Sequence, residues 1–325
     1  DKSAAFGEAN SLIVFAEPAL WEQLEQETYD ALEPTQFTTR DERTFNVTHT
    51  SSEGGDENQL LRWKQVVVFA APGDERLAQI ADEAGVGPVA GEIIQAGDVW
   101  ARGQLVTAVV LDPGNEAASW RAALPELARI LDDAYRQFAT SRMFVSGVDT
   151  VLARQVRERF GAALRAPIIY RGAIDEAGFI RLRNDRPDPS DRIRSVLIQR
   201  RAAADSAGGA GAPLDPEALF AWRASVDSVM YNVPQSIERV PFEPRRFDVD
   251  GAEALEVRGI WHDEGSFPAA GPFIVRAVRC PAAGGQPAST WFFDAWLYSP
   301  NARDSKYEFM LQLEEILDSF RCTSE

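Results

Sequence analysis

The chain has 325 residues, 45% of them hydrophobic and 26% charged, a globular composition long enough for two domains. Lysine and arginine together number 33 against 50 aspartates and glutamates, a net charge of −17, with no Lys/Arg run to offset it. That sign excludes a generic nucleic-acid surface, which must neutralise phosphates, and it sets the chain as a whole against an anionic membrane.

No apolar run reaches the roughly 18 residues of a transmembrane helix, and no signal peptide is visible ahead of the first strand. Ser11–Ala16 reads as a buried strand. Pro18 opens a helix to about Leu32, with Leu20, Trp21, Leu24 and Tyr29 at helical spacing. A short strand at Phe45–Thr48 precedes a polar loop at Ser51–Asn58. Gln65–Ala71 is a second buried strand, and Asp74 can cap a helix to about Ala84. Gly85, Gly87 and Gly91 miss the dinucleotide fingerprint by one residue and read better as a helix cap and turn. Val99–Leu111 is expected as a long strand or strand pair. A helical stretch from Glu116 to Phe138, split or kinked at Pro125, and a further helix at Val151–Phe160 follow.

The second half has a shorter rhythm. Ile168–Tyr170, Phe179–Arg183 and Ser195–Arg201 read as strands, and Ala202–Pro213 as an Ala/Gly/Ser loop. A helix runs from Pro216 to about Tyr231. Glu253–Trp261, Phe273–Cys280 and Trp291–Tyr298 then read as three antiparallel strands, and Lys306–Phe320 as an amphipathic helix. Fold class is therefore α/β (α+β): an N-terminal half over 1–150 and a C-terminal half over 151–325, both sandwich-like, the second with a mainly antiparallel sheet covered by helices. Strand, Pro turn and helix ending in Ile-Leu-Asp recur at Val109–Asp132 and Trp296–Asp318. Shared punctuation explains this, and an internal duplication is the sharper alternative.

Chemistry-bearing residues are few. There are two histidines, one in each half, so a His-rich metal site is not expected, and no cofactor motif is present. His262, beside Asp263 and Glu264, offers a base or metal ligand, against a solvated turn as the simpler reading. His49 precedes a polar loop. Neither a G-x-S-x-G elbow nor a Walker A sequence occurs. Asp248, Asp250, Gly251 and Glu253 look like part of a calcium loop. Counting from Asp248 puts Gly259 where the closing Glu belongs, so a tight Asp-Gly turn is the better account. On the strand Trp291–Tyr298, period-2 alternation places Phe292, Asp294, Trp296 and Tyr298 on one face. Left open, that face is an aromatic platform around an acid, suited to a partner protein or glycan. Covered, it is the inside of a central strand. Cys280 and Cys322 can pair in an oxidising compartment, and two buried thiols fit equally well.

Several blocks recur in a family-like order. They are Asp98–Gln104, Arg223-Ala224-Ser225-Val226, Arg258-Gly259-Ile260-Trp261, Gly271-Pro272-Phe273, Ala295–Pro300 and Leu311–Leu317. In this order the chain resembles the bacterial family called domain of unknown function 4837, from Asn10 to Phe320. The resemblance implies an envelope lipoprotein of the periplasm or outer membrane, anchored through a lipidated cysteine upstream of residue 1. It carries no activity to any residue. The C-terminal half also looks like the PsbP-like α-β-α sandwich, whose members are often accessory factors. The expectation is a non-catalytic envelope protein, an accessory or binding subunit with an envelope protein partner and membrane contact only through such an anchor. An envelope hydrolase near His262 and a small-ligand binding module are the alternatives.

Overall fold

The structure, a computed structural model of the chain, describes residues 2–51, 57–186, 190–202, 214–230, 235–263, 265, 269–300 and 305–323. Most of the two expected loops, at 52–56 and 203–213, and Glu264 lie outside the described residues. The chain divides into two compact units, Asp1–Gln36 with Asp41–Phe138, and Phe37–Arg40 with Ala139–Glu325.

In the first, β1 (Ser11–Phe15) leads into α1 (Pro18–Leu32), then a short hairpin of β2 (Thr35–Phe37) and β3 (Asp41–Arg43). There follow β4 (Asn46–Thr50), α2 (Glu57–Leu60), β5 (Gln65–Ala70), α3 (Glu75–Ala84), β6 (Ile93–Gly97), β7 (Leu105–Val110) and α4 (Glu116–Met143), inside which the division falls. The sheet order is β4-β1-β5-β7-β6, parallel except for the edge strand β6. Parallel sheets are covered on both faces, so their strands read as continuous apolar runs, and β5 is buried at every position. Leu77 and Ile80 of α3 pack on Val66, Val68 and Val106. On the other face Trp120 of α4 stacks on Phe69, ring centroids 3.6 Å apart. Its Nε1–H donates to Thr28 of α1 at 3.0 Å. The chain leaves β1 for β4 on one side and β5 for β7 on the other, so the winding reverses between β1 and β5.

Helix ends follow the sequence. Pro18 stands at the start of α1, Asp74 caps α3, and Gly85 closes α3 in the left-handed conformation. α4 runs unbroken through Pro125, so the expected split is absent. The long strand expected at Val99–Leu111 is also corrected. β6 and β7 are separated by a turn over 98–104 built around two side chains. Asp98, at φ 56, accepts from Gly103 N and Gln104 N. Buried Gln104 accepts from Trp100 N and Ala101 N and donates to the Leu61 and Trp63 carbonyls. These polar groups are satisfied only if the chain leaves the sheet there.

The second unit contains α5 (Thr150–Phe160), β8 (Arg171–Ile174), β9 (Ile180–Asn184), β10 (Ile193–Ala202), α6 (Pro216–Met230), β11 (Gln235–Arg239), β12 (Arg245–Val249), β13 (Ala252–Asp263), β14 (Ala269–Cys280), β15 (Ser289–Tyr298) and α7 (Lys306–Asp318). Its eight-stranded sheet runs β11-β13-β14-β15-β10-β9-β8, with β12 also on β13. Each described pairing is antiparallel. Residues 168–170 form no strand: Tyr170 N turns back to Pro167 O, and β8 begins one residue later. Val249 pairs with Ala252 across Asp250-Gly251, both at positive φ (52° and 82°), which is the two-residue hairpin an Asp-Gly pair favours. Gly271 is required by a close approach, since a Cβ there would lie 1.8 Å from the Leu297 carbonyl oxygen.

α5 and α7 pack on one face of this sheet and α6 on the other. Cys280 at the end of β14 is disulfide-bonded to Cys322 beyond α7. The recurring strand-turn-helix thus lies in a parallel sheet at β7–α4 and in an antiparallel one at β15–α7. That difference removes the duplication and leaves shared punctuation.

Candidate functional site

The carboxyl ends of the parallel strands in the first unit open onto a cavity of about 660 Å³. In wound sheets of this kind ligands bind outside the carboxyl ends of the strands where the winding reverses, and the volume is that of a small-ligand site. Phe69, Ala70 and Leu111 form its apolar floor, and Glu17, Asp74, Arg76 and Glu116 its charged wall, with Gln23 and Ser51 adding neutral polar groups.

The charges are placed by helix starts. Glu17 caps α1 by accepting from Leu20 N at 2.8 Å. Asp74 caps α3 by accepting from Arg76 N at 2.8 Å and Leu77 N at 3.2 Å, and it pairs with the Arg76 guanidinium at 3.0 Å. Burial alone would raise the Asp74 pKa. The Arg76 hydrogen bond and charge and the two amides outweigh it and hold the carboxyl below its ordinary range. Glu116 opens α4 and accepts from Gly114 N, which together with its own amide lowers its pKa. The amides that a phosphate would use at α1 and α3 are therefore occupied by the chain's own carboxylates. Three carboxylates against one guanidinium leave the wall negative.

The histidines stand elsewhere. His49 lies near the end of β4, stacked on Trp21 with centroids 4.3 Å apart, and its Nε2 donates to the Ala16 carbonyl at 3.2 Å. His262 pairs with Glu238 of the neighbouring strand at 2.8 Å, half-exposed. Alternation puts Asp263 on the opposite face of β13, where its Oδ1 accepts from Gly265 N. His262 and Asp263 therefore do not converge. Arg258 is bound to Glu256 and Glu314 instead. No group of three metal-ligating side chains occurs among the described residues.

Of the two readings of β15, the structure has the covered one, the inside of a central strand. Phe292, Asp294 and Trp296 are buried and Tyr298 half-buried, under α6. Trp222 stacks on Phe292 at 5.1 Å, and Arg223 donates to Asp294 at 3.0 Å with both side chains fully buried. Arg223 also donates to Gln235 at 2.9 Å and lies 4.1 Å over the Phe273 ring. On the sheet's other face, buried Glu256 binds Arg276, Arg258 and Arg245, and α7 returns Glu314 to Arg258 and Asp318 to Arg276. Burial would raise the Glu256 pKa, but these three cations bring it down to about 2.

Sequence reasoning found Asp74 as a cap and passed over Glu17, Arg76 and Glu116. Pro18 and the Pro-Gly turns at 72–73 and 113–114 mark strand-to-helix corners, but only the strand order shows that these corners meet.

No family model matches the chain, and no curated protein matches it. The resemblance to domain of unknown function 4837 thus rests on its residue blocks alone. Among solved structures, the solution structure of cyanobacterial PsbP (CyanoP) from Synechocystis sp. PCC 6803 is similar at 12% identity and a TM-score of 0.33, covering 50% of this chain and 87% of that chain. This is a weak structural likeness. No described helix is long and apolar enough to cross a membrane.

Proposed function

We propose that the chain is a non-catalytic binding protein of the cell envelope, an accessory subunit whose first unit takes a small polar ligand of neutral or positive charge. The observation that carries the reading is the cavity at the winding reversal, apolar below and negative at its wall. The Cys280–Cys322 disulfide supports an oxidising compartment. The family-like residue blocks support a periplasmic or outer-membrane location with a lipid anchor and an envelope protein partner.

Thermal melting of the whole chain against polyols, sugars, amines and phosphate esters tests it. A ligand that binds only the folded state raises the melting temperature. Stabilisation is expected from a hydroxylated or amine compound, with loss of that response in Glu17→Gln. Stabilisation by phosphate esters alone, or by nothing, would overturn the ligand assignment. Gentle envelope fractionation tests the accessory role, and recovery of the protein alone would count against it.

A further inference from the structure

Seven large hydrophobic side chains are exposed among the described residues, and four of them, Val145, Val151, Ile168 and Ile169, fall in one part of the second unit. Val145 is 84% exposed. The backbone brings them together. Ile168 N donates to Gly147 O, Val148 bridges Pro167, and Asp149 N donates to Ala166 O, so the segment carrying Val145 runs beside the one carrying Ile168. Val151 follows in the first turn of α5. Grouped exposed apolar side chains of this kind mark a surface that meets something.

The charge around them is the reverse of the chain's. From Arg142 to Arg171 there are six arginines against two carboxylates, a local net of +4 in a protein of −17. All six arginines are exposed. Arg142 and Arg171 pair with Glu308 and Asp185. Arg154, one turn from Val151, has no ion pair among the described residues, and neither does Arg165, which lies 4.0 Å over the ring of Phe144. Asp149 is spent on capping α5 through Leu152 N.

We propose that this patch docks on an anionic lipid surface, the valines and isoleucines entering the headgroup boundary while the arginines meet lipid phosphates. The chain's overall charge does not forbid this. At physiological ionic strength charges farther than about 8 Å are largely screened, so the local excess governs contact, and it stays positive after Glu308 and Asp185 offset Arg142 and Arg171. Aliphatic side chains rimmed by arginine suit the boundary between acyl chains and anionic headgroups. This inference does not depend on the ligand reading of the first unit.

Vesicle co-sedimentation of the whole chain tests it, with phosphatidylcholine alone and with phosphatidylcholine containing phosphatidylglycerol, at low and high salt. The expected result is sedimentation with the anionic vesicles, weakened by salt. Replacing Arg154 should cost about fivefold, the equivalent of ~1 kcal/mol for a cation near such a surface. Val145→Asp and Ile168→Asp, both solvent-facing and expected to melt like the parent, should each abolish sedimentation. Equal sedimentation with neutral vesicles, unchanged sedimentation of both Asp variants, or capture of an acidic protein by this patch without vesicle binding would overturn the proposal.

Discussion

The two units solve the problem of polar groups in opposite ways. The parallel sheet of the first keeps its strands apolar and sends its carboxylates to the corners where strands become helices. There, Glu17, Asp74 and Glu116 face a cavity and water. The antiparallel sheet of the second places ions inside, Arg223 with Asp294 under α6 and Glu256 with Arg276 and Arg258 under α7. A carboxylate at a corner is available to a ligand. A carboxylate inside a sheet is committed to its partner, and its chemistry is structural.

The largest effect is expected from breaking that commitment. Arg223→Met removes the cation from a fully buried carboxylate and should destabilise the protein by about 3–5 kcal/mol, read from urea unfolding. Arg223→Met with Asp294→Leu removes both charges and should recover most of the loss, because the desolvation cost leaves with the pair. A double variant as unstable as the single one would show that the pair itself, and not the orphaned charge, holds α6 on the sheet.

Glu256 gives the next effect, as a pH dependence. Its carboxyl drops from an ordinary 4.5 to about 2 on folding, so the folded state favours the ionised form. This stability is fully present above pH 4.5 and is lost as pH falls toward 2, in all ~3 kcal/mol for a group with no exposed side-chain surface. Unfolding free energy measured across that window should fall, and Glu256→Gln should flatten the slope while lowering the plateau. An unchanged slope in Glu256→Gln would assign the acid limb to other carboxylates.

The same contrast explains what the sequence made legible. The mixed α/β class was readable, and so were helices with their own start and stop signals: α1 with its proline, α3 with Asp74 and Gly85, α7 with its apolar stripe. The long strands β13, β14 and β15 announced themselves by apolar and aromatic content. β11 and β12 did not, because Glu238-Arg239 and Arg245-Arg246 are edge or near-edge residues whose side chains reach solvent. The alternation of β15 correctly separated its two faces. That the second face was covered as well depended on α6, and Arg223 lies 71 residues from Asp294. The cavity was illegible for a similar reason. Each corner is an ordinary helix start, and only the order β4-β1-β5-β7-β6 brings three of them together.

The smallest effect, at Asp74, separates the two jobs of a corner carboxylate. Asp74→Ala removes the acceptor for Arg76 N and Leu77 N and should cost about 1 kcal/mol, a typical helix-cap loss. Asp74→Asn keeps a side-chain oxygen for those amides and should leave melting nearly unchanged, since Asn caps as well as Asp. It does remove one negative charge from the cavity wall and leaves Arg76 paired with Glu57 alone. Stabilisation by an amine ligand should therefore weaken in Asp74→Asn although the fold is intact, while a neutral hydroxylated ligand should be held as before. If the alanine and asparagine variants respond identically to every ligand, Asp74 serves the helix alone, and the corner carboxylates of the first unit would be as structural as the buried ones of the second.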